Sequence, residues 1–472
     1  MVTFLGRSRE LDVLQRELDK VRDGVGSWKP GQCIMLRGRR RVGKSSLVEK
    51  FALQADVPMF YFTARNETPE RELQEFIDSM ALSTLPDRGA FLANPPADMS
   101  SALQMLGQIA PDDTPSLIVL DEIPYLMDEE GRFEGALQWT WDRLLLNKPV
   151  LLLLIGSDLS MMRSLNEYHR PFHQRGKEMV LGPLNPAEVG EMLGLGPADA
   201  FDAALVTGGL PLVCAEWPKG GNLWDFLDRS FANPISALMV SARLMLASEF
   251  PEQAMAALVL RAIGNGERTF TNIARAAGGI SHSTLSRALE VLVKKGIVSA
   301  DLPISLNPSK ERRYTISDPY LRLWLSLIEP HMSEIERGRG DMSVERVRRS
   351  WSSWRGRAIE PLVRESLARI LPAGPIPYAR HVGGYWTRSN DVEIDIVGAE
   401  EAPVAKGLSF VGSIKWLDND KFDRRDLAAL LKHRAALTDE DLPLIGVSRS
   451  GFDCEGLDGA FGPHDLIKGW QR

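Results

Sequence analysis

The sequence predicts an α/β fold, a parallel sheet with helices on both faces, followed by a helical and winged-helix region and a second α/β domain. Three observations carry this. Short apolar runs without polar alternation (Gln32–Leu36, Met59–Thr63, Leu117–Leu120 and Val150–Ile155) read as strands covered on both faces. Amphipathic stretches such as Lys44–Leu53 and Phe133–Leu146 lie between them, the rhythm of βαβ units. The 472 residues exceed what one hydrophobic core usually holds, so two to four domains are expected.

Taken in order, Ser8 reads as the N-cap of a first helix with Leu11, Leu14 and Leu18 on one face. The sheet region is expected over 1–215, with Ala81–Asp113, rich in Pro, Asp and Ser, as loop and short helices. Residues 216–250 are helical, without strand signals, and read as a lid. Residues 251–330 predict a winged helix. Met255–Ile263 is its first helix, Thr271 caps a short second one, and Ser281 caps a third that runs to Lys295 and stops at Gly296. Val298–Ile304 and Arg312–Ile316 would form the wing. Residues 331–357, rich in Arg, Gly and Ser, read as a connector, and 358–472 return to mixed α/β. There is no internal repeat.

Composition narrows the function classes. Apolar residues make up 44% and charged residues 25%, the balance of a globular protein. A net charge of −7 gives no overall sign of nucleic-acid binding. Cys33, Cys214 and Cys454 are far apart, which argues against a disulfide framework and a zinc site. The N-terminal segment lacks an apolar signal core, and the longest apolar run, Val150–Ile155, is too short to span a bilayer. A cytoplasmic protein without a membrane partner is expected.

Gly38-Arg39-Arg40-Arg41-Val42-Gly43-Lys44-Ser45 fits G-x-x-x-x-G-K-[ST], between a strand and a helix, and Ser46 continues it. The glycines let backbone N–H groups turn toward phosphate oxygens, and the helix N-terminus adds its positive end. Lys44 would reach the β- and γ-phosphates and Ser45 would ligate Mg²⁺. The strand Leu117–Leu120 ends in Asp121-Glu122, placing one carboxylate for the ion and a second, Glu122, to polarise water. Ser157, after Val150–Ile155, is either a γ-phosphate sensor or a turn residue. Arg175 either neutralises transition-state charge, in cis or from a neighbouring subunit of a homo-oligomer, or is a solvated arginine. The set points to an α/β P-loop NTPase core with ATP and Mg²⁺ as cofactors.

The box Phe4-Leu-Gly-Arg7-Ser-Arg-Glu10-Leu11, the loop GRRRVGKSSL, the segment LIVLDEIPYL and Thr207-Gly208-Gly209-Leu210-Pro211 together resemble the archaeal-type ATPase family of STAND-like, AAA+-related P-loop proteins. Arg313 to Trp324 is similar to that family's segment after a winged helix. The resemblance implies a sheet with one strand between the P-loop strand and the Asp121 strand. It also implies that ATP state controls the other domains.

The recognition helix would expose His282, Ser283, Ser286 and Arg287, with Lys310, Arg312 and Arg313 at the wing, a surface for duplex DNA or for a protein partner. Beyond it, Asp391-Val-Glu393-Ile-Asp395 and Phe410 to Trp416 look like strands of a PD-(D/E)XK, restriction-endonuclease-like domain, with Glu360 matching the acid of its first helix. That likeness implies a metal-binding set including Glu360, Glu393 and Asp395, with Lys415 aiding catalysis. Ser413 stands where a metal-ligating Glu is expected, which predicts a degenerate nuclease. Three readings follow: an ATP-driven regulatory switch, an ATP-dependent nuclease, and a scaffold that holds ATP.

Overall fold

The computed structural model describes residues 6–128, 130–249 and 254–471. Phe4, Leu5 and Phe250 of the sequence-based expectations lie outside them. The chain divides between Pro183 and Leu184 into two compact units.

In the first unit, β1 (Gln32–Arg37), β2 (Met59–Thr63), β3 (Ser116–Asp121), β4 (Val150–Gly156) and β5 (Lys177–Val180) form one parallel sheet. Its order is β2-β3-β4-β1-β5, so β4 lies between the P-loop strand and the Asp121 strand. β3 and β4 are buried along their whole length, as their unbroken apolar runs require. Phe60, Phe62, Phe76 and Phe91 anchor the core on one side. β5 escapes a sequence reading because Lys177-Glu-Met-Val is a short, largely exposed edge strand with no apolar run. The first helix, Ser8–Asp23, buries Leu14, Leu18 and Val21. Its N-cap is Arg7 in the left-handed region rather than Ser8.

The second unit begins with helices that the sequence pattern places with the sheet region. Ala200, Phe201 and Leu205 of Pro197–Thr207 share a core with Val363, Ile396, Phe410 and Trp416, so residues 184–215 pack with the C-terminal half. In the winged helix, Ala254–Gly264, Phe270–Ala276 and His282–Lys294 precede β6 (Val298–Asp301) and β7 (Arg313–Ile316), an antiparallel pair. Ser281 caps the third helix through Thr284 N, as its position predicts, whereas Thr269, not Thr271, precedes the second.

The expected connector is instead a 19-residue helix, Gly340–Ala358. Val344, Val347, Trp351, Arg355 and Ala358 recur every three or four residues and are buried. A buried arginine inside the stripe hides its period in the sequence. The last domain places the helix Glu360–Ile370 before β8 (His381–Trp386), β9 (Glu393–Ala399) and β10 (Leu408–Lys415). β11 (Phe422–Asp423) and the helix Arg424–Leu437 follow, then β12 (Leu444–Ser448), β13 (Phe452–Asp453) and β14 (Gly459–Phe461). The main sheet runs β14-β12-β10-β9-β8, antiparallel from β8 to β10 and parallel from β10 to β14.

Among the described residues no single helix is long and apolar enough to cross a membrane. The bent pair Leu223–Ala232 and Ala237–Ala247 passes only when its halves, 68° apart, are added together.

Arg355 is 1% exposed and reaches Asp202 at 2.8 Å and Asp418 at 2.9 Å. Arg355→Ala would leave the buried Asp202 with less than its full set of partners, which costs about 3–5 kcal/mol. Truncating Lys406, whose pair with Glu401 is exposed, costs under about 1 kcal/mol. Denaturant unfolding of the two variants checks this, and equal small losses would show that the buried network is not a principal support.

Candidate functional site

The loop 38–45 leaves β1 and closes on the helix Lys44–Ala55. Two of its residues fix its curvature. Gly43 has φ 92°, a region closed to most side chains. A Cβ on Gly38 would lie 2.4 Å from the Leu181 carbonyl oxygen. Lys44 Nζ donates to the carbonyls of Gly38 at 2.9 Å and Arg39 at 3.2 Å, so its ammonium is held across the mouth of the loop. Burial lowers its pKa below the usual lysine range, against the opposing pull of Glu122 and Asp121.

Ser45 Oγ donates to Asp121 Oδ2 at 2.8 Å, and Tyr61 OH donates to the same oxygen at 3.1 Å. Burial raises the Asp121 pKa, and these two hydrogen bonds oppose it. A hydroxyl from the first turn of the helix Lys44–Ala55 and a carboxylate from the end of β3 thus meet beside Lys44, a pair of hard oxygen ligands suited to Mg²⁺. Glu122 has φ 54°, in the left-handed region. Its Oε2 accepts from Ser157 Oγ at 2.7 Å and Ser157 N at 3.2 Å. Ser157 therefore holds the carboxylate next to the loop.

In the sequence Arg7 stands out only as part of the box Phe4–Leu11. Its buried guanidinium donates to the carbonyls of Val42 at 3.0 Å and Gly182 at 2.7 Å, tying the P-loop to the segment after β5. Its left-handed backbone, after Gly6 at φ 76°, directs the side chain there. No local pattern announces a contact spanning 175 residues.

Arg175 is not brought to this site. Its Nε and Nη2 each bond the Asp142 carboxylate at 2.9 Å, and Nη1 bonds the carbonyls of Pro171 and His173. It precedes β5, beside Gln32 and Cys33 where β1 begins, whereas the P-loop follows the end of β1. The length of β1, about 17 Å at 3.3 Å per residue, separates them. The expectation of a role in cis fails for that reason.

The C-terminal acids do not converge on one ion. Asp395 Oδ2 accepts from Ser413 Oγ and Ile414 N, each at 2.9 Å. Glu360 pairs with Arg364 at 3.0 Å, and Arg364 Nε also bonds the Asp395 carbonyl. Glu393 pairs with Arg313, which stacks over Trp386. Lys415 pairs with Asp420 and Asp426. Ile394 and Val397 lie in one core and Ile396 in another, so the strand's alternation slips by one across Asp395. That slip undoes the simple expectation that Glu393 and Asp395 act together. Among the described residues no group of three metal-ligating side chains is assembled.

The wing is docked on this domain. Ile304 N bonds the Gly384 carbonyl, Ser305 N bonds the Pro403 carbonyl, and Trp386 Nε1 bonds the Glu311 carbonyl. Arg313, expected at DNA, is instead engaged by Glu393. Arg287, Lys310 and Arg312 stay exposed.

An HxlR-like helix-turn-helix family model matches residues 253–319, the three helices and wing just described. The DUF234 model, archaea bacterial proteins of unknown function, matches 324–427. The uncharacterized protein MJECL04 of Methanocaldococcus jannaschii is 24% identical over 421 residues, 88% of each chain. The Walker-type ATPase PABY2304 of Pyrococcus abyssi is 20% identical with a TM-score of 0.49, covering 68% of this chain and 96% of its own. The ORC2 protein of Aeropyrum pernix is 13% identical with a TM-score of 0.45, covering 73% and 96%. The strand order β2-β3-β4-β1-β5 and the loop between β1 and the helix Lys44–Ala55 define the fold of the first unit.

Burial, and then the nearby Glu360, push the Asp395 pKa up to about 6. An unfolded aspartate titrates near 3.9. Between those values the folded chain binds more protons, so stability falls as pH rises through the window. Asp395→Asn keeps an oxygen for the Ser413 and Ile414 donors. It is expected to raise stability by about 1–3 kcal/mol at pH 8, shrinking to under about 1 kcal/mol at pH 4.5. Denaturant unfolding followed by tryptophan fluorescence at the two pH values measures this.

Proposed function

We propose that the chain binds Mg-ATP at the loop 38–46, hydrolyses it slowly, and uses its nucleotide state to control a DNA-facing second unit. The observation that carries this reading is the meeting of Ser45 and Asp121 beside Lys44, on a loop whose curvature needs Gly38 and Gly43.

The backbone N–H groups of the loop and the start of the helix would cradle the phosphates. Lys44, released from the carbonyls of Gly38 and Arg39, would follow the negative charge. Ser45 and Asp121 would hold Mg²⁺, which supplies positive charge at the phosphates when bound. Glu122 would accept a proton from the attacking water, with Ser157 setting the direction of that carboxylate. Because Ser157 bonds only Oε2 among the described contacts, Oε1 is the oxygen left to orient water. Arg175 takes no part in cis. Any arginine acting on transition-state charge from another molecule requires a homo-oligomer.

For the second unit, the exposed Arg287 on the recognition helix and Lys310 and Arg312 beside it support contact with duplex phosphates. The docked wing favours recognition through the helix rather than the wing strands. The nuclease reading is weaker, since Ser413 and Ile414 already satisfy Asp395 Oδ2 and Lys415 is paired elsewhere.

Two measurements test this. Lys44→Ala should abolish ATP binding in calorimetry, whereas Glu122→Gln should bind ATP and lose at least about 100-fold in turnover. Unchanged affinity in the first variant would remove the nucleotide site, and unchanged turnover in the second would remove Glu122 as base. Separately, fluorescence anisotropy should detect duplex DNA binding at low salt. Arg287→Gln and Arg312→Gln should each flatten the salt dependence by about 0.9 in slope. No binding with or without ATP would make the winged helix a protein-contact surface.

A further inference from the structure

A second cationic site lies in the second unit, away from the winged helix's recognition face. After the helix Ala254–Gly264 the turn brings Arg268 to the wall of a concavity of about 490 Å³. Arg322, from the helix Pro319–Leu323, lines it too, as do Arg349, Ser353, Trp354 and Arg357 of the helix Gly340–Ala358. No carboxylate is among its described lining residues. The guanidiniums of Arg268, Arg349 and Arg357 have no hydrogen-bond or ion-pair partner among the described residues. Among the described residues the Arg322 guanidinium bonds only the Arg357 carbonyl, at 3.2 Å. The Trp354 indole Nε1 is a further donor there, buried and without an acceptor.

Such an arrangement is unfavourable by itself. Burial, followed by the neighbouring Arg268, pushes the Arg322 pKa down to about 10, with Arg357 adding to the repulsion. Glu360 pulls the other way, but its carboxylate faces the adjoining cavity and is paired with Arg364. Arg268 and Arg322 are half-buried and Arg349 and Arg357 are exposed at the rim; partly buried cations gathered against one another persist where an anion completes them. The planar fork of a guanidinium matches the oxygens of a phosphate better than it matches a monatomic ion. The volume falls in the range of small-ligand sites.

We propose that this concavity is a phosphate-binding site, separate from the P-loop, which takes a terminal phosphate or pyrophosphate group through Arg268, Arg322, Arg349 and Arg357. The two sources of that chemistry are a free pyrophosphate-bearing ligand and the 5′-phosphate of a nucleic-acid end.

Calorimetry on the full chain tests it, with pyrophosphate as one probe and a 5′-phosphorylated dinucleotide, beside its 5′-hydroxyl form, as the other. Lys44→Ala silences the P-loop. In that background one site should remain, and Arg349→Gln with Arg357→Gln should weaken it at least tenfold. Both arginines are exposed, so the fold should survive, which circular dichroism and unchanged unfolding would verify. The wild type should show two pyrophosphate sites, either change alone one, and all changes together none. Arginine-dependent binding of the 5′-phosphorylated dinucleotide alone supports the site and assigns it to nucleic-acid ends. Pyrophosphate binding assigns it to a free ligand. If neither probe binds the Lys44→Ala chain, or if both bind it with no dependence on Arg349 and Arg357, the proposal is overturned.

Discussion

The second unit is organised around one buried cation. Arg355 sits on the inward stripe of the helix Gly340–Ala358, reaches Asp202 and Asp418, and donates to the Trp416 carbonyl. Arg449 binds the same two aspartates. Burial raises the Asp202 pKa, and the two guanidiniums oppose that rise without cancelling it. A charge so placed must be matched on every side, because an unmatched one costs several kcal/mol. The helix Pro197–Thr207, the helix Gly340–Ala358 and the end of β10 are therefore fixed together. This is why residues 184–215 belong to the C-terminal half although they follow the parallel sheet directly in sequence.

In the first unit the governing constraint is backbone curvature rather than charge. The P-loop must turn within eight residues from strand to helix, with Gly38 against Leu181 and Gly43 in the left-handed region. Arg7 then pins the Val42 carbonyl from the opposite side. The side chains of the candidate site inherit their positions from this frame. Lys44 lies across the loop, Ser45 meets Asp121, and Glu122 is steered by Ser157. A preformed frame reduces the ordering cost that ligand binding would otherwise carry.

A single ion pair, Arg313 with Glu393, reorders the functional reading of the second unit. It takes a basic residue from the expected DNA surface and an acid from the expected metal set. With the backbone bonds at Ile304 and Ser305, it also docks the wing on the C-terminal sheet. The winged helix and that sheet then share a wall, and the arginine-lined concavity opens beside it, with Arg268 and Arg322 lining both it and the neighbouring cavity.

What the sequence determined by itself was local. The P-loop, the strands β1 to β4, the acidic pair Asp121-Glu122 and the Ser281 cap depend on residues adjacent in the chain, where spacing dictates geometry. The Ser45–Asp121 meeting was legible because two such patterns share one sheet. Tertiary structure decided the rest. Arg175 finds Asp142 across 33 residues, Arg313 finds Glu393 across 80, and Arg355 finds Asp202 across 153. A long charged side chain takes whichever opposite charge the fold brings within reach, and its sequence neighbours carry no record of that partner. The helix Gly340–Ala358 was missed for the same reason: its inward stripe includes an arginine that is core only because distant aspartates surround it.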